Sequence, residues 1–180
     1  MTIKSKCYQS IFLLMFFAVT FSSIAQSSTD YQLGSGDEIK ITVFGQQNLS
    51  IETLLNDSGK INYPFLGQIQ ATGKTLEELQ QQIYNGLKGD YLVNPNISVS
   101  IVKYRPFFID GEVEKPGGYP FQPGLTINKA AALAGGYTER ASLSKIFIIR
   151  SNDVEQKSNN VDANTRVQPG DIITVKQSYF

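Results

Sequence analysis

The sequence predicts an α+β chain of two small domains, and three observations carry that reading. Short runs of alternating apolar and polar residues recur along the chain, the period-two pattern of half-buried strands. Two of these runs follow a Gly-Asp pair, in "GSGDEIKITV" and "VQPGDIITV". Two helical segments also begin alike, "TGKTLEELQQQI" and "PGLTINKAAALAGG", each with Gly-x-Thr-(Leu/Ile) at its start.

The first 25 residues read as a secretory signal rather than as part of either domain. Lys4 and Lys6 form a basic start, "IFLLMFFAVTF" from Ile11 to Phe21 is an apolar core, and Ser23 and Ala25 are small residues suited to cleavage before Gln26. That apolar run has 11 residues, short of the roughly 20 that span a bilayer. A lipoprotein signal needs a cysteine at the cut, and Cys7 lies ahead of the apolar core. The expected mature chain starts at Gln26, with a polar leader to Asp30 and folded structure from Tyr31.

In the first unit, Ile39, Ile41 and Val43 alternate with Lys40 and Thr42 as a strand. Asn56-Asp57-Ser58-Gly59 is a turn, and "KINYPFLGQIQ" gives two short strands broken near Pro64 and Gly67. Thr75 caps a helix, with Glu78 completing a capping box. Leu76, Leu79, Ile83 and Leu87 share its inner face, and Gly86 and Gly89 mark its end. "NPNISVSIVKY" is a strand with Ile97, Val99 and Ile101 on one side, closed by Arg105-Pro106.

The second unit opens with the strand "FFIDGEV", the turn "EKPGGY" and a short strand to Phe121. Gly111 reads as a strand or bulge position, and Gly117, after Pro116, as a type II turn residue requiring positive φ. Gly124 turns the chain as Gly73 does, and Thr126 is expected to cap the second helix as Thr75 caps the first. Ile127, Ala130, Ala131 and Ala134 share one helix face, and Gly135-Gly136 stops it. "KIFIIR" is a strand, "SNDVEQKSNNVDAN" a polar connection and "VQPGDIITV" the last strand. The units divide as 26–105 and 106–180.

Composition removes several function classes. The chain holds 16 Lys+Arg and 16 Asp+Glu; with Lys4 and Lys6 in the leader, the remainder is slightly acidic, without the basic face a nucleic-acid binder needs. It has no histidine, and its one cysteine is Cys7. His/Cys zinc sites, Ser-His-Asp or Cys-His catalysis and a disulfide within the mature domains are therefore excluded. No cofactor and no metal is expected.

The glycine motifs do not read as nucleotide loops. "GSGDEI" has Ile39 where a dinucleotide fingerprint needs its third glycine, and it precedes a strand instead of opening a helix. Gly73-Lys74-Thr75 resembles the end of a Walker loop, but Gln68 occupies the required glycine position. Asp37 and Asp171, after Gly36 and Gly170, have a structural role available: the Asp side chain accepts N–H groups of its own turn. Asp37-Glu38, Glu77-Glu78 and Glu112/Glu114 are acid pairs, but adjacent acids at a strand start point to opposite sides, and the helical pair serves a cap. They read as solvated acids rather than a glycosidase pair.

Taken in order, "YQLGSGDEIKITVFG", "GKINYPFLGQIQATGKTLEELQQQI", "NPNISVSI", "IDGEVEKPGGYPFQPGLTINKAAALAGG", "IFIIR" and "VQPGDIITV" resemble a bacterial outer-membrane polysaccharide export protein, almost throughout Tyr31 to Val175. The resemblance implies a polysaccharide export N-terminal α+β domain followed by one soluble-ligand-binding β-grasp (SLBB) domain. Gly34, Gly36 and Asp37 match the motif opening the first domain, and Gly111, Pro116, Gly117, Gly135 and Gly136 match the β-grasp signature.

The function so implied is non-enzymatic: a periplasmic subunit, peripheral to the outer membrane, of a homo-oligomeric ring forming part of a conduit for capsular polysaccharide or exopolysaccharide. An inner-membrane polysaccharide co-polymerase is the implied partner. Five residues, Lys176 to Phe180, follow the last strand "DIITV", where long family members continue into a membrane helix. The chain is therefore expected to dock onto a separate outer-membrane barrel or a longer export subunit, through the β-grasp end and Tyr179-Phe180. Aromatic residues Tyr104, Phe107, Phe108, Tyr119, Phe121 and Tyr137 cluster around the domain junction and the β-grasp turn; Tyr104, Arg105 and Tyr119 are the candidate glycan or subunit contacts, whereas Phe107, Phe108 and Phe121 read as core. Two alternatives stay open: a monomeric periplasmic carbohydrate-binding module, and a polysaccharide-modifying enzyme using Asp110 and Glu112.

Overall fold

A computed structural model of the chain describes Tyr31–Ser178. The expected signal, its cleavage between Ala25 and Gln26, and the Tyr179-Phe180 end lie outside the described residues.

The first part is built on β1 (Glu38–Val43), flanked on both sides by antiparallel strands, β2 (Ile51–Leu54) and β5 (Ile97–Lys103). The alternation predicted for β1 holds, with Ile39, Ile41 and Val43 buried. In the sheet Ile41 pairs with Ile51 and Val99, and Val43 pairs with Ile97. Strands β3 (Lys60–Tyr63) and β4 (Gly67–Gln70) form a separate hairpin. Helix α1 (Leu76–Leu87) starts with the capping box expected, Thr75 and Glu78 each accepting the other's backbone N–H. Its Leu79, Ile83 and Leu87 have no exposed surface, and each contributes about 1.5–3 kcal/mol by leaving water.

Strand β2 carries little sequence signal, because "IETL" is short and only half-buried at alternate positions. Gly86 also differs from expectation. It lies inside α1, where a Cβ would stand 2.8 Å from both Leu66 methyl carbons, so it admits a neighbouring side chain and does not end the helix.

The second part is a five-stranded sheet in the order β7-β6-β10-β8-β9, comprising β6 (Phe107–Gly111), β7 (Gly117–Tyr119), β8 (Ala141–Ile149), β9 (Asn159–Val161) and β10 (Ile172–Gln177). The last strand is central, parallel to β6 and antiparallel to β8. Helix α2 (Ile127–Leu133) covers one face with Ile127, Ala130 and Ala131, which pack with Phe107, Ile109, Ile146, Ile148, Ile173 and Val175. Strand β9 lies within the stretch read as a polar connection; its composition, Asn-Asn-Val, is polar because it is an exposed edge. The two hydrophobic clusters remain separate, one drawn from Leu33 to Val99 and the other from Phe107 to Val175, giving an α+β fold of two domains.

Two further expectations are corrected. Thr126 accepts no capping bond; the α2 N–H groups of Ile127 and Asn128 go instead to the carbonyls of Thr165 and Ala163. A neighbouring loop thus does the work that a side chain does at α1. Gly117 is not in the left-handed region: it is the first residue of β7, paired with Ile109, and a Cβ there would come no closer than 4.0 Å to any neighbour. Gly111 does need its hydrogen, since its φ is +81° and a Cβ would sit 2.1 Å from the Val175 carbonyl oxygen.

Candidate functional site

Among the described residues, two charged side chains are buried, Asp37 and Asp171, each fully. They stand where the two Gly-Asp motifs place them, immediately before β1 and β10, and they organise their turns alike. Oδ2 of Asp37 accepts the Gly34 N–H at 2.8 Å, while the Asp37 N–H donates back to the Gly34 carbonyl at 3.1 Å. Oδ2 of Asp171 accepts the Gln168 N–H at 2.7 Å, while the Asp171 N–H donates to the Gln168 carbonyl at 3.2 Å. Gly36 and Gly170, with φ of +92° and +82°, supply the left-handed residue that each turn needs.

Each carboxylate also holds an arginine from the end of a strand. Arg105, just after β5, places Nη1 3.1 Å from Asp37, and its own N–H donates to Asp37 Oδ1 at 2.9 Å. Arg150, just after β8, places Nη1 2.7 Å from Asp171. Charged hydrogen bonds of this kind make burial of a carboxylate tolerable.

Arg105 goes further and ties the two turns together. Its Nε donates to the Pro169 carbonyl at 3.2 Å and its Nη2 to Ser151 Oγ at 3.2 Å. Ser151 in turn donates its hydroxyl to Pro169 and its N–H to Asp171. The Gly170 N–H reaches the Pro106 carbonyl at 3.0 Å. The guanidinium lies in a slot made of motif glycines: a Cβ on Gly34 would fall 2.0 Å from Nη1, and one on Gly170 2.7 Å from Nε. Tyr31 closes the slot, donating its hydroxyl to Asp37 at 2.6 Å and accepting from Arg105 Nη1 at 3.1 Å.

These contacts shift titrations in opposition to one another. Burial, then the Asp37 hydrogen bond and charge, push the Tyr31 phenol well above its ordinary range, with Arg105 pulling the other way. Burial raises the Asp171 carboxyl, against the lowering pull of the Gln168 N–H, Arg150 and Ser151.

The structure therefore gives Arg105 a role different from the glycan or subunit contact expected of it, because all three guanidinium nitrogens are engaged within the chain. Tyr104 stacks edge-on against Tyr31 and Phe121, with centroids 5.2 Å away in both cases. Tyr119 lies over Phe107 and donates its hydroxyl to the Lys115 carbonyl at 2.6 Å. Pro116 is exposed between β6 and β7, and Gly135 and Gly136 stop α2. Phe108, expected in the core, is instead about half exposed on the outer face of β6.

Of the acids considered for catalysis, Glu112 accepts the Thr138 hydroxyl at 2.6 Å, and Asp110 is exposed on β6. Among the described residues no group of three or more His, Cys, Asp or Glu is placed to hold a metal. Sequence reading missed Tyr31, Arg150, Ser151 and Pro169. The available signal was the arginine ending both "SIVKYR" and "IFIIR", each of which reaches the carboxylate of one of the two turns.

The family model described as polysaccharide biosynthesis/export protein matches residues 25–102, and the SLBB domain model matches residues 106–158. The chain is 33% identical over 144 residues to the exopolysaccharide production protein ExoF of Rhizobium meliloti, covering 72% of this chain and 34% of that one. It is 26% identical over 184 residues to the EPS I polysaccharide export outer membrane protein EpsA of Ralstonia nicotianae, covering 83% of this chain and 48% of the relative. The polysialic acid transport protein KpsD of Escherichia coli is 26% identical over 136 residues, 74% of this chain and 24% of the relative. The chain thus spans less than half the length of each of these relatives.

Proposed function

The chain belongs to the bacterial outer-membrane polysaccharide export family, with a polysaccharide export domain followed by an SLBB domain, and from that premise we propose that it is a non-enzymatic subunit of a conduit exporting capsular polysaccharide or exopolysaccharide. The observation that carries this reading is the ordered match of both domains in one chain, joined at Arg105. Both buried carboxylates serve that join or its counterpart turn, which suits a part that must hold its shape while other molecules pass. The subunit acts in the periplasm as a homo-oligomeric ring, with an inner-membrane polysaccharide co-polymerase on one side and an outer-membrane barrel or longer export subunit on the other. No described helix is long and apolar enough to cross a membrane.

The test is deletion and complementation. Cells lacking the protein should retain polysaccharide inside the envelope and regain surface polysaccharide when the gene is restored. Cross-linking of the purified protein in mild detergent should give a closed ladder of copies. Normal surface polysaccharide in the deletion strain would overturn the export role, and a strictly monomeric protein both alone and with its membrane neighbours would overturn the ring.

A further inference from the structure

The hairpin between β3 and β4 turns through Pro64, Phe65 and Leu66 in an uncommon way. The Leu66 N–H donates to the Pro64 carbonyl at 2.8 Å, two residues back, and the residue between them, Phe65, has φ of +64°. That is a γ-turn of the rare, strained hand, and the left-handed region is unfavourable for a bulky aromatic residue. Among the described residues, Phe65 and Gln156 are the non-glycine positions with positive φ.

The strain has a definite result. Leu66 points inward, into the gap left by Gly86, while the Phe65 ring is turned out and is 62% exposed. There it meets Tyr91, itself 46% exposed, in a stacked pair with centroids 4.8 Å apart and planes 26° apart. Tyr91 is held from behind, because the loop after α1 closes on itself: the Tyr91 and Leu92 N–H groups return to the Leu87 carbonyl, and the Gly89 N–H donates to the Leu92 carbonyl at 2.8 Å. Val93, two residues after Tyr91, is 90% exposed. Asp90 and Asn94 are exposed polar neighbours in sequence.

We propose that Phe65 and Tyr91 form a stacking platform for one or two sugar residues of a polysaccharide chain. Size argues for a glycan over a protein. The open surface of two half-exposed aromatic side chains and one valine is on the order of 300 Å², whereas a stable protein interface buries about 800 Å² on each partner. A pyranose ring presents a flat face of C–H groups matching an aromatic face, with hydroxyls at its rim for polar neighbours. Both rings sit on backbone fixed by short hydrogen-bonded turns, so little freedom is lost on binding. Backbone strain retained at an exposed ring is also the pattern of a binding site. The inference rests on the export reading only for the identity of the glycan.

The experiment is affinity electrophoresis of the purified full chain through gels containing the exopolysaccharide isolated from the same cells, with bovine serum albumin as the mobility standard. The native protein should be retarded, and Phe65→Asn and Tyr91→Ala should each weaken the apparent affinity about fivefold or more. Asparagine tolerates positive φ, so Phe65→Asn should melt no lower than the native chain; lost binding with retained stability separates a binding role from a structural one. Equal retardation of native and variant proteins, or no retardation of the native chain, would overturn the platform. So would unchanged retardation with loss of a cross-linked protein neighbour in the variants, which would assign the patch to a protein. Surface polysaccharide in cells provides the independent arm. If deletion of the gene abolishes export while the double variant binds and exports normally, the platform fails and the export reading stands.

Discussion

Nη1 of Arg105 lies 3.1 Å from Oδ2 of Asp37, across 68 residues of sequence, and the same guanidinium donates to the carbonyl of Pro169. One side chain therefore joins the turn that opens the first sheet to the turn that opens the last strand of the second. Arg105→Ala should destabilise the protein by about 2–4 kcal/mol, since removing one partner of a buried pair leaves the other uncompensated. Arg105→Lys should recover part of this, because an ammonium replaces the charge without the three-way reach. Urea unfolding checks both. An alanine variant as stable as the native chain would show that the join carries no energy.

Gly34 and Arg105 should behave as one unit. A Cβ on Gly34 would occupy the place of the guanidinium, so Gly34→Ala should cost nearly as much as Arg105→Ala. The double variant should fall well short of the sum of the two, as expected for residues sharing one contact. Additive losses in a double-mutant cycle would contradict the slot.

The β-grasp glycines should separate sharply. Gly111→Ala meets both a positive φ and the Val175 carbonyl, and should lower stability by about 2 kcal/mol or more. Gly117→Ala has open space and an ordinary φ, and should change stability by no more than about 0.5 kcal/mol. Thermal melts of the two variants side by side measure the contrast.

Tyr31 gives the protein an alkaline limit. A free phenol titrates at 10.0, and Tyr31 is held well above that in the fold. Below this pH both states keep the proton and its contribution is complete. Above it the unfolded chain ionises while the folded one does not, so stability is lost as pH rises past about 10, by up to about 1.4 kcal/mol per pH unit. Tyr31→Phe should flatten this decline, leaving the smaller share from Tyr63 and Tyr137, whose phenols burial also raises. Urea midpoints between pH 8 and 11 provide the measurement; an unchanged slope would refute it.

Much of the fold was legible because it is locally encoded. Alternation at Ile39, Ile41 and Val43, helical spacing at Leu79, Ile83 and Leu87, and the Thr75–Glu78 capping box all express preferences that act within a few residues. The Gly-Asp turns were readable for the same reason, since Asp37 and Asp171 bond to N–H groups three residues away. What escaped was set by distant partners. Thr126 looks like Thr75 in sequence, but a loop near residue 165 reaches its helix first. Arg105 looked like an exposed charge at a strand end until Pro169 and Ser151 were brought to it. The φ of Phe65 was hidden because Gly67, two residues later, was the obvious place to turn.

Strand β10 lies between β6 and β8 although it is the last strand in order, and this imposes a timetable on the molecule. A chain delivered N-terminus first can close its first sheet as soon as β5 has emerged, because β1, β2 and β5 are then all present. The second sheet has no middle until Ile172 arrives beside Phe108 and Ile149, so β6 and β8 wait with their pairing edges open. Long-range pairings of this kind form slowly. The Arg105 contacts to Ser151 and Pro169 can form only when that wait ends, making the link between the domains a late checkpoint: a molecule that has it has closed its second sheet.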